Sequence, residues 1–146
     1  MASTSGPGYS GADSGGVRAH CFADRTELIS ALARRLERAL TGASADGPSA
    51  VMLSGGNTPL PAYRALGEQG VRPAPGLTLF YSDDRYVPSD SDASNYHQTR
   101  PLLDALALPP EHVLRVRTEL PLEEAAADYE RRLAELAGSG ARFGLG

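Results

Sequence analysis

The segment Val51–Pro59, which reads VMLSGGNTP, constrains the fold of this chain more than any other part of the sequence. Its apolar beginning is short and bounded by turn residues, as expected for a buried strand of a parallel sheet. Gly55 and Gly56 permit the positive φ angles of a tight loop. Thr58 is a suitable N-cap, and Pro59 suits the first position of a helix. The segment therefore predicts a strand, a glycine loop and a helix start.

The glycine loop, defined here as residues 54–58, has two interpretations. The free N–H groups and the positive dipole end of the following helix favour a bound phosphate or carboxylate, and glycines let such a ligand approach the backbone. Alternatively, the glycines only make a tight turn, and the loop alone does not decide between the two. The candidate phosphate-binding residues are Ser54, Gly55, Gly56, Asn57 and Thr58.

Strand and helix patterns alternate along the rest of the chain. A first strand is expected at Val17–Ala23, and Asp24 with Glu27 has the spacing of a capping box at a helix start. Further strands are predicted at 77–81, at 113–116 and from 141 onward, and further helices after Pro59, at 98–106 and after Pro121. This alternation predicts an α/β fold with a Rossmann-like parallel sheet and helices on both faces.

The composition separates a tail from the domain and excludes several classes of protein. Residues 1–16 are dominated by Gly, Ser and Ala and are predicted to be disordered, which leaves 17–146 as the α/β domain. The net charge of -4 provides no field suited to nucleic acid or anionic lipid. A single cysteine, Cys21, excludes a disulfide framework within the chain and is expected to be a small core residue. Without a membrane-spanning run or a signal-peptide core, the cytoplasm is the expected compartment.

A second polar segment, SDDRYVP at residues 82–88, follows the predicted strand at 77–81, and we call it the acidic loop. Ligands of open α/β sheets bind at the carboxyl ends of strands, where both loops begin. The Asp83 carboxylate could take a proton or orient water, and the Arg85 guanidinium could neutralise an oxyanion. The alternative is a solvated acidic turn with an internal ion pair. The histidines lack metal-ligand spacing, so no metal site is expected.

Four segments taken together resemble one protein family. SGGNTP at 54–59, DDRYVP at 83–88, SNY at 94–96 and ELPLEEAAADY at 119–129 are similar, in order and spacing, to 6-phosphogluconolactonases of the glucosamine/galactosamine-6-phosphate isomerase superfamily. Arg85 stands where the related deaminases have a tyrosine. The resemblance implies hydrolysis of 6-phosphoglucono-δ-lactone to 6-phosphogluconate in the oxidative pentose phosphate pathway, with no metal or organic cofactor and a small phosphosugar lactone as partner.

The resemblance also implies roles for individual residues. The glycine loop would hold the 6-phosphate, Arg85 would stabilise the lactone oxyanion or the carboxylate product, and Asp83 would orient the sugar or the water. Asn95 would support the site loops. The position of Asp84 is usually Glu in the family.

The chain departs from the family in one further respect. No part of residues 1–146 matches the family's Gly-x-Gly-x-Asp-Gly-His segment, whose histidine is the expected acid/base. The chain thus resembles the N-terminal portion of a lactonase, with an α/β sheet that is incomplete at the C-terminus and impaired activity expected. Its open sheet is expected to favour self-association. Two alternatives remain open: a non-catalytic phosphosugar-binding protein and an inactive truncated fragment.

Overall fold

A computed structural model describes residues 19–42 and 47–144, so the predicted disordered tail, residues 1–16, lies outside the described residues. The helices are α1 (Arg25–Thr41), α2 (Leu60–Gln69), α3 (Asn95–Gln98), α4 (Arg100–Leu106) and α5 (Leu122–Gly138). The strands are β1 (Ser49–Leu53), β2 (Leu77–Tyr81), β3 (Val113–Leu114) and β4 (Arg142–Phe143). A turn of 3-10 helix at Pro110–His112 leads into β3. None of the helices in the two described ranges is long and apolar enough to cross a membrane.

All four strands pair in parallel, in the order β3-β2-β1-β4, which confirms the predicted Rossmann-like sheet. Strands β1, β2 and β3 are neighbours in chain order on one side of the sheet, and β4 pairs with the opposite edge of β1. The strand order therefore reverses between β1 and β4. The glycine loop leaves β1 at this switch point, which is where open α/β sheets bind their ligands.

The main hydrophobic core lies between one face of the sheet and three helices. Alternate strand residues point to this face because successive side chains of a strand alternate. Strand residues on this face include Val51, Leu53, Leu77, Leu79 and Tyr81, and the core residues of α1, α2 and α4 include Leu36, Leu40, Tyr63, Leu66 and Leu102. The three helices lie side by side, with α2 between α1 and α4. This burial fixes the orientation of α2 behind the glycine loop.

The opposite face of the sheet is only partly covered. Helix α5 lies on this face. Its residues Arg132, Glu135 and Leu136 line a groove together with Thr78 and Leu114 of the sheet. Helices thus lie on both faces, as predicted. Phe80 and Phe143, also on this face, meet edge to face with ring centroids 5.6 Å apart. Phe143 nevertheless remains 50% exposed.

Helix α1 begins as the capping-box spacing predicts, but the strand expected before it is wrong. Asp24 Oδ1 accepts a hydrogen bond from Glu27 N at 2.8 Å. Residues 19–23 form no strand, while residues 17 and 18 lie outside the described ranges. Both edges of β1 are already paired, by β2 and by β4. Cys21 is exposed rather than part of the core, so this segment neither pairs with the sheet nor buries an apolar face.

Candidate active site

The glycine loop and the acidic loop begin side by side at the carboxyl edge of the sheet. They follow β1 and β2, which pair in parallel with Leu53 opposite Tyr81. Ser82 N donates a hydrogen bond to Leu53 O at 2.9 Å, so the ladder continues to the first residue of the acidic loop. The fold therefore brings together the glycine loop and the acidic loop, the two segments that the sequence predicted to form the functional site.

Asn95 joins the two loops. Its side-chain Nδ2 donates to the backbone oxygen of Asp83 at 3.1 Å. Its side-chain oxygen lies against Gly55, where an added Cβ would be only 1.9 Å away. Asn95 is 5% exposed. The glycine loop, the acidic loop and the start of α3 thus form one packed unit.

Asp84 organises the acidic loop from within. One carboxylate oxygen accepts hydrogen bonds from Asn95 N at 2.7 Å and Arg85 N at 2.8 Å. The other accepts from Tyr96 N and from Ser94 Oγ, both at 3.3 Å. A carboxylate with these partners folds the loop and caps the start of α3. Sequence reasoning gave Asp84 no role of this kind, because its partners other than Arg85 lie 10 to 12 positions further along the chain.

Asp83 and Arg85, the two candidate catalytic residues, are both at least partly exposed. Asp83 Oδ1 accepts a hydrogen bond from Ser82 Oγ at 3.0 Å. The Arg85 guanidinium has no hydrogen-bond or ion-pair partner within residues 19–42 and 47–144, where only the backbone N–H and oxygen of this residue are engaged. The internal ion pair of the alternative interpretation is therefore not formed there. Both side chains are accessible to a ligand at the edge of the sheet.

A tyrosine hydroxyl anchors the strand end beside each loop. Tyr63 of α2 accepts from Ser54 N at 3.2 Å and donates to Ser54 O at 3.0 Å. Tyr129 of α5 accepts from Tyr81 N at 2.8 Å and donates to Tyr81 O at 2.6 Å. Burial raises the pKa of both phenols, so they remain protonated and can donate near neutral pH. Periodicity could place these tyrosines on helices but could not identify their partners.

The glycine loop turns into α2 one residue later than predicted. Pro59, with φ -78° and ψ -25°, occupies the N-cap position and receives no side-chain cap, so the prediction that Thr58 caps the helix is wrong. Residues 57–59 form a turn that runs directly into α2, and Pro59 O accepts from Ala62 N and Tyr63 N. Gly56 has φ 102°, a conformation that side chains disfavour. Asn57 and Thr58 are accessible beside it.

The described histidines do not meet the two candidate catalytic side chains. His112 Nδ1 lies 2.9 Å from Leu77 O, at the amino end of β2 and hence at the opposite edge of the sheet. His97 Nε2 lies 3.6 Å from Asp92 Oδ1 on the loop before α3. Within residues 19–42 and 47–144, no three His, Cys, Asp or Glu side chains come together as a metal site.

The segments that form the two loops belong to a known protein family. The profile of the family described as "Glucosamine-6-phosphate isomerases/6-phosphogluconolactonase" matches residues 23–145, which include both loops and every element from α1 to β4. The chain belongs to this family. Resemblance at the four sequence segments had implied the same assignment.

Relatives within the family carry the name 6-phosphogluconolactonase. The protein of Mycobacterium leprae is 33% identical over 127 residues, covering 82% of this chain and 51% of the relative. The human protein is 37% identical over 125 residues, covering 78% of this chain and 47% of the relative. The chain thus spans about half the length of these family members.

Solved structures agree with the family assignment. The 6-phosphogluconolactonase of Thermotoga maritima superposes with a TM-score of 0.62 at 33% identity, covering 77% of this chain and 50% of that protein. The enzyme of Trypanosoma brucei superposes with a TM-score of 0.65 at 29% identity, covering 78% and 48%. A monomeric glucosamine-6-phosphate deaminase, with a TM-score of 0.63 at 17% identity, shares the fold.

Proposed function

We propose that this chain binds 6-phosphoglucono-δ-lactone across its two loops and contributes to hydrolysis of the lactone to 6-phosphogluconate. The observation that carries the proposal is the junction at Asn95, which holds the glycine loop against the acidic loop and leaves the Arg85 side chain accessible. The names of the relatives support the reaction class and its place in the oxidative pentose phosphate pathway.

The glycine loop is assigned to the 6-phosphate. It precedes a helix of ten residues, whose first N–H groups and positive dipole end favour an anion. An added Cβ at Gly56 would meet nothing within 4 Å, so the backbone is open on that side. Ser54, Asn57 and Thr58 are accessible and could add side-chain hydrogen bonds. The phosphate would place the lactone ring toward the acidic loop.

The acidic loop is assigned to the chemistry at the lactone carbonyl. Water adds to the carbonyl carbon, a new C–O bond forms, and the carbonyl oxygen becomes an oxyanion that the Arg85 guanidinium stabilises. Asp83 orients the water or the sugar. The bond from this carbon to the ring oxygen then breaks, and the ring oxygen takes up a proton derived from the attacking water. The product is a carboxylic acid that ionises at neutral pH.

A second candidate function is phosphosugar binding without rapid turnover. The observation that favours it is the position of His112 at the amino end of β2, away from both loops, together with the pairing of His97 with Asp92. Exposed carboxylates in general are weak bases, so the acidic loop alone is expected to accelerate water attack only slightly. The two candidate functions share the same ligand and differ in the rate of lactone hydrolysis.

The test measures binding and turnover on the purified 146-residue chain. Calorimetry with 6-phosphogluconate reports binding, and lactone opening is followed against the spontaneous rate at the same pH. Binding with accelerated opening that Arg85→Met abolishes supports the hydrolase. Binding without acceleration favours the second candidate. No binding by the folded chain would contradict both and favour an inactive fragment.

A further inference from the structure

The glycine loop is contacted by a guanidinium from a distant part of the chain. Arg25 is the first residue of α1, and its Nη2 donates a hydrogen bond to the backbone oxygen of Asn57 at 2.7 Å. The helix start that carries Arg25 is fixed on both sides. Asp24 accepts from Glu27 N at 2.8 Å, and Glu27 Oε2 accepts from Ala23 N at 2.7 Å. Arg25 is therefore directed at the loop by a capped helix.

The remaining N–H groups of Arg25 are available to a ligand. A guanidinium has five N–H donors, and the bond to Asn57 uses one of them. Within residues 19–42 and 47–144, Arg25 forms no ion pair, and the neighbouring Asp24 and Glu27 carboxylates are engaged with backbone N–H groups of the helix start. Several other arginines pair with carboxylates instead: Arg100 pairs with Asp104, and Arg132 pairs with Asp128.

A phosphate monoester at the loop needs a positive charge as well as N–H donors. The loop backbone is neutral, and the sequence contains no lysine, so arginines are the only side chains of this chain with a permanent positive charge. Guanidinium groups pair with phosphate oxygens through two parallel hydrogen bonds. We infer that Arg25 binds the 6-phosphate together with the glycine loop and thereby selects phosphorylated sugar acids over unphosphorylated ones. This inference rests on the proposed function.

A purely structural role for Arg25 makes a different prediction. If Arg25 only held Asn57 in place, the shorter side chain of Arg25→Gln would weaken that hydrogen bond, and the effect would be the same for phosphorylated and unphosphorylated ligands. A role in phosphate binding requires the charge. It predicts a loss confined to phosphorylated ligands, smaller for Arg25→Lys because an ammonium keeps the charge without the fork.

The experiment compares dissociation constants for 6-phosphogluconate and gluconate, by calorimetry on the 146-residue chain. The variants are Arg25→Gln, Arg25→Lys and Arg34→Gln, an exposed residue of the same helix. Arg34→Gln makes the same charge change roughly 13 Å along the helix axis, at about 1.5 Å per residue. Melting temperatures without ligand report whether each variant folds.

We expect Arg25→Gln to weaken 6-phosphogluconate binding by about tenfold to a hundredfold, the scale of hydrogen bonds to a charged group, and to leave gluconate binding unchanged. Arg34→Gln should bind like wild type. Should Arg25→Gln fail to fold, a several-fold loss for Arg25→Lys with the phosphorylated ligand alone would support the inference. Unchanged binding by a folded Arg25→Gln or Arg25→Lys, or an equal loss for both ligands, would overturn the inference alone. Wild-type chain that binds neither ligand would overturn the proposed function as well.

Discussion

The side chain of Asn95 occupies the space that any side chain at position 55 would need, since a Cβ added to Gly55 would lie 1.9 Å from Asn95 Oδ1 and 2.3 Å from Asn95 Cγ. Gly56 differs from its neighbour. It has φ 102°, and an added Cβ would meet nothing within 4 Å. The two glycines of the loop are therefore required for different reasons, Gly55 for space and Gly56 for backbone conformation.

The Gly55→Ala substitution should displace Asn95 and break its hydrogen bond to Asp83 O. We expect a loss of about 1–3 kcal/mol in the free energy of unfolding, the usual cost of an extra methyl group in a packed site. The loss should shrink in a chain that also carries Asn95→Ala, because the clash is then gone. Urea denaturation of both single variants and the double variant measures this coupling.

Gly56→Ala provides the matched control for this cycle. It should destabilise the chain through its positive φ, and by the same amount with or without the Asn95→Ala substitution. Additive effects of Gly55→Ala and Asn95→Ala would show that Asn95 does not depend on the open space at Gly55.

Asp84 and Arg85 are neighbours with different expected roles. Asp84→Asn should lower the free energy of unfolding by about 1–3 kcal/mol, because an uncharged amide cannot accept all four hydrogen bonds made by the carboxylate. Arg85→Ala should change stability by less than about 0.5 kcal/mol, as for an exposed side chain. Urea denaturation, with the exposed Asp90→Asn as the control for loss of charge, measures both.

Turnover should follow a different order. In a chimera that joins this chain to the C-terminal half of a lactonase, Arg85→Ala should lower kcat/KM by on the order of a hundredfold or more, the scale of losing one oxyanion donor. Asp84→Asn should cost less at a temperature where the variant is folded. A larger loss for Asp84→Asn than for Arg85→Ala would assign the oxyanion to another group.

The sequence predicted the elements of the fold better than the contacts of the site. Strand β2 has the predicted bounds, Leu77–Tyr81, because a short apolar run between turn residues carries a local signal. The strand expected at Val17–Ala23 is wrong in its described part, since joining a sheet depends on long-range pairing that the local pattern does not encode.

The hydrogen bonds that shape the site have no such local signal. The bond from Tyr129 to Tyr81 O spans 48 positions, and the bond from Asn95 N to Asp84 spans 11. An aspartate in a turn and a tyrosine on a helix have many possible partners, and only the fold decides between them. Sequence reasoning therefore located both loops but missed Asp84, Tyr63 and Tyr129 as the groups that position them.

Self-association of the chain stays a prediction, and the structure indicates which surface to test. Phe143 is 50% exposed beside Phe80 on the partly covered face of the sheet, and exposed apolar patches favour association. Wild-type protein should show a mass in sedimentation equilibrium that rises with concentration. Phe143→Ser should reduce this rise, whereas Phe22→Ser, at a side chain that is 38% exposed outside the sheet, should not. A concentration-independent monomer mass for wild type would contradict the prediction.

The ion pair between Arg115 and Glu119 should give the stability a defined dependence on pH. Two guanidinium N–H groups donate to the two Glu119 oxygens at 2.8 and 2.9 Å, and these hydrogen bonds lower the pKa of Glu119 from its ordinary 4.5 to about 2. The folded state thus holds the proton less tightly than the unfolded state. The stabilising contribution is complete above pH 4.5 and is lost as the pH falls through about 2.

Glu119→Gln should therefore be less stable than wild type near pH 6, and the difference should vanish near pH 2. The expected difference is about 1 kcal/mol or less, because the Glu119 side chain is 54% exposed and solvent screens the pair. Urea denaturation between pH 2 and pH 7 measures it, with Glu37→Gln on the exposed surface of α1 as the control for removal of a carboxylate. If the difference in the free energy of unfolding between wild type and Glu119→Gln stays constant from pH 6 to pH 2, the ionised carboxylate of Glu119 is not the stabilising group.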